Sequence, residues 1–253
     1  MSTRATGRTR THDPGEVERF DRLAGDWWNP EGPMKPLHRI NPLRLAFVRD
    51  EAIAAFGRSP EAPFGLAGLS ALDVGCGAGL VSEPLARMGA AVTGLDPAGA
   101  ALDAARAHAE ASGLAIDYRS DSVEELAASG TTFDLVVAME VVEHVPDVAS
   151  FVRACAACVK PGGLLLLSTI NRTLRAHALA IVAAEYLLGW LPRGTHDWDK
   201  FVTPDELRRF AEAAGLTGFR TRGLVYSPLT DSWSASRDTA VNYLARVSKP
   251  AAP

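Results

Sequence analysis

Cysteine is scarce: three residues in a chain of 253 cannot build a disulfide framework, and the odd count points to a reducing compartment. Cys155 and Cys158 form a C-x-x-C within FVRACAACVK, but no second pair completes a zinc site, and the apolar helical context makes them packed thiols. Long apolar runs are missing as well, since nothing approaches the ~18 consecutive residues of a membrane-spanning helix. A large charge of one sign is also lacking. The formal net charge of −4 argues against wrapping nucleic acid by neutralising its phosphates. The first dozen residues, MSTRATGRTRTH, carry three arginines and no acid but lack the apolar stretch of a secretory signal. Residues 1–15 are expected to be a disordered tail, and the protein to be cytoplasmic.

What is present is the composition of a globular enzyme, 47% hydrophobic and 22% charged, long enough for one large α/β domain. From Leu69 onward, strand-like and helix-like segments alternate. LSALDV (69–74), AAVTGLD (90–96), a short piece at 116–118, FDLVVAM (133–139) and LLLLST (164–169) read as strands. Residues 98–113, closed by Gly113, and Asp147 to Lys160 read as helices. That alternation implies a doubly wound, mostly parallel sheet with helices on both faces. LTGFRT (216–221) and VNYLARV (241–247) have no long helix between them, which predicts an antiparallel pair at one edge. A single domain is expected over 16–250. Residues 16–66 would be a helical cover with a Pro-rich loop from Asn29 to Pro42, and 67–250 a core with an insertion at about 172–200.

Three constellations carry chemistry. Gly75, Gly77 and Gly79 follow the first strand as G-x-G-x-G. Such a loop lets backbone N–H groups approach a ligand with no Cβ in the way, and its spacing suits a carboxylate better than a pyrophosphate. A tight turn with no ligand would use the same residues. Asp96, at the tip of the second strand, can accept both hydroxyls of a ribose or cap the helix that follows. Asp121, after the third strand, can accept from an adenine amino group, although acids are common in surface loops. The third is Met139-Glu140-Val141-Val142-Glu143-His144-Val145-Pro146, a turn that Pro146 keeps from becoming helical. Two carboxylates and an imidazole there can act as a general base, or hold a divalent cation such as Mg²⁺ or Mn²⁺, or form a solvated acidic turn.

Read together, Gly75 to Gly79, Asp96, FDLVVAMEVVEHV and Lys160-Pro161-Gly162-Gly163 resemble the class I S-adenosylmethionine-dependent methyltransferases. WWNPEGPMKPLHRINPLRL (27–45), STINR (168–172) and GTHDWDKFVTPDEL (194–207) narrow the resemblance to the ubiquinone-biosynthesis O-methyltransferase family, over about Val17 to Val247. It implies a Rossmann-like class I methyltransferase fold. It further implies S-adenosylmethionine bound by Arg44, Gly75, Asp96 and Met139, to which the reading of the residues above adds Gly77 and Asp121. By the same resemblance Glu140, Glu143 and His144 match a metal-holding E-x-x-E-H turn of eukaryotic relatives. The implied acceptors are the phenolic oxygens of 2-polyprenyl-6-hydroxyphenol and 3-demethylubiquinol.

Two other readings compete: a nicotinamide-dependent oxidoreductase, disfavoured by the loop spacing, and a non-catalytic cofactor-binding partner in a biosynthetic complex, which has no need of the E-x-x-E-H turn. A polyprenylated substrate also raises the question of membrane access. LRAHALAIVAAEYLLGWLP (174–192) is apolar, with Tyr186 and Trp190 suited to headgroup depth and Arg172, Arg175 and Arg193 suited to anionic lipid at the inner membrane face. The alternative is a lid helix packed on the domain.

Overall fold

In a computed structural model, residues 14–62, 64–178, 198–227 and 229–252 are described. Five strands run parallel: β1 (Ser70–Val74), β2 (Ala91–Leu95), β3 (Asp117–Arg119), β4 (Phe133–Met139) and β5 (Val159–Ile170). Three more, β6 (Thr217–Ser227), β7 (Ser232–Ser236) and β8 (Asn242–Ser248), join antiparallel. Among the described residues they form one sheet in the order β3-β2-β1-β4-β5-β8-β6-β7. The chain therefore reverses direction across the sheet between β1 and β4, the position where open α/β sheets bind ligands.

The apolar strands are buried on both faces, and their alternation sorts side chains into two cores. Leu164 and Leu166 of β5 face one core, with Phe47 and Val48 of α2 (Lys35–Ala55). Leu165 and Leu167 face the other, with Phe151 and Val152 of α6 (Val148–Ala157) and Leu207 of α8 (Pro204–Ala213). Successive residues of a strand point to opposite sides, so residue parity along β5 assigns each side chain to the α2 face or the α6 face. Cys155 and Cys158 are fully buried on the α6 face, as packed thiols should be.

Several expectations need correction. The Pro-rich loop ends at Met34, because α2 begins at Lys35 and runs through Pro42. A proline inside a helix costs ~3 kcal/mol, but α2 also buries Ile40, Phe47, Val48 and Ile53, each worth about 1.5–3 kcal/mol. Burial wins. The helix expected over 147–160 stops at Ala157, since Val159 already pairs with Phe133 of β4. Strand β7, SWSAS, carries no apolar alternation and was invisible to pattern. It is held by its hairpin with β6 and by Arg39 of α2, which grips Asp231 at the hairpin tip through two bonds of 2.6 and 2.8 Å. The helix ending at Gly113 is as expected: α4 spans Gly99–Ala111, and Gly113 follows with φ +67°.

Helix α1 (Pro14–Arg22) starts inside the expected tail, while residues 1–13 lie outside the described residues. The amphipathic reading of 174–192 falls mostly on residues 179–197, also outside them; α7 (Leu174–Ala176) is its described beginning. Arg172 and Arg175, named above as suited to anionic lipid, form ion pairs with Glu206 and Asp238.

Helix α8 starts with a reciprocal cap. The Glu206 N–H donates to Thr203 Oγ1 (3.3 Å), while the Thr203 N–H donates to the Glu206 carboxylate (2.9 Å). Thr203→Ala is expected to lower unfolding free energy by about 1 kcal/mol, read as a lower urea midpoint with an unchanged slope.

Candidate functional site

The ends of β1, β2 and β4 open on one edge of the sheet, and each supplies a part of the site. After β1 the chain turns through Gly75, Gly77 and Gly79, with φ of +72°, +52° and +91°. A Cβ at these positions would lie 2.5 Å from Val141 Cγ2, 2.2 Å from Trp27 Cζ2 and 2.2 Å from Tyr118 Oη, respectively. Both the backbone conformation and the close approach of neighbours thus require glycine. The following helix, α3 (Ser82–Arg87), is short and starts beyond the loop. Within the loop the Leu95 carbonyl holds the N–H groups of Gly75 and Cys76, and the Cys76 carbonyl holds that of Gly79, so what these glycines offer a ligand is close approach to the backbone.

Asp96, past the end of β2, is bonded to the backbone on two sides. Its Oδ2 accepts from the Gly77 N–H and its Oδ1 from the Ala98 N–H, both at 2.8 Å. It ties the glycine loop to the start of α4. Burial pushes its pKa up to about 6, against the pull of those two N–H donors. Beneath the loop Asp73 is fully enclosed and accepts from Ser82 Oγ at 2.6 Å; burial pushes it up to about 7. Asp121 stands after β3, where its carboxylate is paired with Arg119.

The cover closes over the loop through aromatic side chains. Trp27 lies against Gly77, and Trp28 Nε1 donates to the Ala78 carbonyl at 3.0 Å. The Trp28 ring stacks on His108 at 3.5 Å between centroids, and His108 Nδ1 lies 2.6 Å from the buried Glu83 carboxylate. Asn41 of α2 donates to the Leu80 carbonyl at 2.8 Å. Both tryptophans lie in the segment expected to be a cover, and their contacts with the loop depend on tertiary placement.

The turn after β4 has the expected form: a single 3₁₀ turn, Val142–His144, ended by an extended Val145 before Pro146. Met139 closes β4 on the α2 face, beside Ser168 in register. Glu140 follows with φ +57°, a left-handed conformation in which a non-glycine residue is strained. Its Oε1 lies 3.1 Å from Arg44 Nη2 and accepts from Ser168 Oγ at 2.6 Å. Arg44 is buried, and its Nε has no protein partner. Glu143 is buried too, but it accepts from Thr169 Oγ1 at 2.7 Å. Burial first, then the neighbouring Glu140 charge, pushes Glu143 up to about 7. Val141 packs on Gly75, which joins the turn to the glycine loop.

The structure thus gathers Arg44, Gly75, Gly77, Asp96, Met139 and Glu140 along one edge, and it leaves Asp121 paired at the flank. It does not assemble Glu140, Glu143 and His144 as one ligand set: among the described residues no three His, Cys, Asp or Glu side chains are grouped to hold a metal ion. The reason is strand parity. Ser168 holds Glu140 on the α2 face, while Thr169, its neighbour, holds Glu143 on the α6 face. Neither hydroxyl was given a role from the sequence, although both open the STINR motif that narrowed the resemblance.

The methyltransferase-domain family matches residues 43–219. A ubiquinone biosynthesis O-methyltransferase of Methylobacterium sp. (strain 4-46) is 60% identical over 240 residues, which are 95% of this chain and 96% of that one. The chain belongs to the ubiquinone biosynthesis O-methyltransferase family. A second member, from Chelativorans sp. (strain BNC1), is 53% identical over 97% of both chains. Among solved structures, magnesium protoporphyrin IX methyltransferase from Synechocystis PCC 6803 with bound SAH superposes with a TM-score of 0.64 at 19% identity, covering 92% of this chain and 94% of that one. The plantazolicin methyltransferase in complex with SAH gives 0.62 at 14% identity, over 93% and 97%. At these identities the likeness is one of fold. It is the class I methyltransferase fold, and the family member described here is a methyltransferase.

Asp73, Asp96 and Glu143 all have pKa values above their ordinary ones. The folded state therefore keeps protons that the unfolded state loses from about pH 4 upward, and stability declines as pH rises to about 7. Urea unfolding is expected to show lower stability at about pH 8 than at about pH 5. Asp73→Asn, which cannot titrate, should narrow the difference; an unchanged difference would show that Asp73 titrates alike in both states.

Proposed function

We propose that the protein transfers the methyl group of S-adenosylmethionine to phenolic oxygens of ubiquinone precursors, with 2-polyprenyl-6-hydroxyphenol and 3-demethylubiquinol as acceptors. The observation that carries this reading is the similarity, along almost the whole chain, to proteins named for that biosynthesis. The site fits the cofactor. A glycine cradle and a buried guanidinium with an unpartnered Nε stand at the same edge. Arg44 would meet the cofactor carboxylate, the backbone of Gly75 and Gly77 its amino-acid portion, and Met139 its apolar side. Asp96 has lone pairs left for ribose hydroxyls, and Asp121 can turn from Arg119 to an adenine amino group.

The cofactor supplies a sulfonium methyl group. A phenol has a pKa near ~10, so at neutral pH it must lose its proton to become an effective nucleophile. His144, at the end of the turn, is the base, because an imidazole titrates near working pH. His144 would take the phenolic proton, and the bound cofactor would supply the methyl group to the phenolate oxygen, its sulfur keeping the electron pair. Buried Glu143 belongs to the same turn. Holding the two reactants in line accounts for much of the remaining acceleration.

A divalent cation such as Mg²⁺ on Glu140, Glu143 and His144 is not favoured by this geometry, because Glu140 would have to give up Ser168 and Arg44. The polyprenyl tail calls for work at a membrane surface, through peripheral attachment or within a biosynthetic complex. Among the described residues no helix is long and apolar enough to cross a membrane. Leu174, which opens the apolar segment 174–192, is 84% exposed. Flotation with anionic vesicles should retain the protein, and replacing Leu187, Leu188 and Trp190 with Ser should release it.

The decisive assay is methyl transfer from labelled S-adenosylmethionine to a short-chain catechol analogue, with and without chelator. Turnover that survives chelation and is lost in His144→Ala is expected; loss on chelation, restored by Mg²⁺, would return the cation to the mechanism. Asp96→Ala is expected to lose about 1.5–3 kcal/mol of cofactor affinity, the scale of a charge-assisted hydrogen bond. Unchanged affinity by calorimetry would leave Asp96 as a structural tie.

A further inference from the structure

Ser168 is buried at the end of β5, where an apolar strand meets the site. Its hydroxyl donates to Glu140 Oε1 at 2.6 Å and accepts from the Glu140 N–H at 2.9 Å. The same N–H reaches the Ser168 carbonyl at 3.2 Å. One residue therefore grips both the backbone and the side chain of Glu140, which holds a left-handed conformation at φ +57°. A strained non-glycine residue persists where its surroundings over-determine it, and here Ser168 supplies three of the contacts.

The consequence reaches Arg44. With its backbone and Oε1 fixed by Ser168, Glu140 presents the same oxygen to Arg44 Nη2 at 3.1 Å. The two side chains are only 5% and 15% exposed, so water screens the pair poorly. One edge of the guanidinium is thereby committed to Glu140, and its buried Nε is left without a protein partner. An ionised donor in that state is suited to a ligand carboxylate.

We infer that Ser168 is a positioning residue, which acts through Glu140 to orient Arg44 toward the carboxylate of the cofactor. Glu140 belongs to the same device, as the link between hydroxyl and guanidinium. The inference rests on the reading that Arg44 binds the cofactor. It gives the first acid of the E-x-x-E-H turn a role in orienting an arginine.

The test measures S-adenosylhomocysteine affinity by calorimetry, together with steady-state kinetics, for Ser168→Ala, Glu140→Gln, Glu140→Ala, the Glu140→Ala/Ser168→Ala double variant and Arg44→Ala. Ser168→Ala is expected to raise Kd about tenfold, the equivalent of one charge-assisted hydrogen bond. At saturating cofactor, kcat and the acceptor KM should stay within about twofold. Because Ser168 acts through Glu140, adding Ser168→Ala to Glu140→Ala should change Kd no further. Glu140→Gln, which keeps an oxygen for the hydroxyl but drops the charge facing Arg44, should weaken cofactor binding even if Ser168→Ala fails to fold. Wild-type affinity in folded Ser168→Ala, additive losses in the double variant, or rescue of Glu140→Gln by added Mg²⁺ would each overturn the inference. If Arg44→Ala binds as wild type, the cofactor role of Arg44 itself is what fails.

Discussion

The ion pair between Arg44 and Glu140 ties three parts of the molecule together. Charges with so little access to water are costly unless each meets a partner, so α2 must lie where Arg44 reaches the end of β4. That requirement helps explain why α2 runs unbroken through Pro42 and packs Phe47 and Val48 against the sheet. It also commits Glu140 to a left-handed turn, which brings Val141 onto Gly75 and so couples the acidic turn to the glycine loop. Cover, loop and turn are one arrangement.

A second constraint is the pleat of β5. Ser168 and Thr169 are neighbours in sequence, but their hydroxyls serve opposite faces of the sheet. The two carboxylates of the E-x-x-E-H turn follow them, Glu140 toward α2 and Glu143 toward α6. Residues three apart in a short turn could have converged on a common ion; the strand beside them decides that they do not. The division also separates their chemistry. Glu140 serves a buried guanidinium, whereas Glu143 lies next to His144 in surroundings that raise its affinity for a proton.

The aromatic cover gives the glycine loop its second support. Trp28 fixes the Ala78 carbonyl while stacking on His108, which is held in turn by buried Glu83. Glycines confer freedom, and freedom alone makes a poor cradle. Trp27 on Gly77, Tyr118 against Gly79 and Asp96 bonded to the Gly77 N–H remove that freedom from outside the loop.

By itself the sequence determined the parallel strands, the glycine loop, Asp96 at the tip of β2 and the single turn ended by Pro146. Each rests on a local rule: apolar runs of strand length, positive φ that glycine tolerates, and the effect of proline on the residue before it. The helical cover was legible in outline, but not the start of α2, because propensity forbids a proline that burial overrides. Strand β7 was not legible, since SWSAS has no apolar pattern and is held by partners distant in sequence. The ligand set read from Glu140, Glu143 and His144 placed the turn correctly after β4 but not the directions of its side chains. Only the tertiary structure decided which face each carboxylate joins, because side-chain direction there follows the pleat of β5, a neighbour that the turn's own residues do not encode.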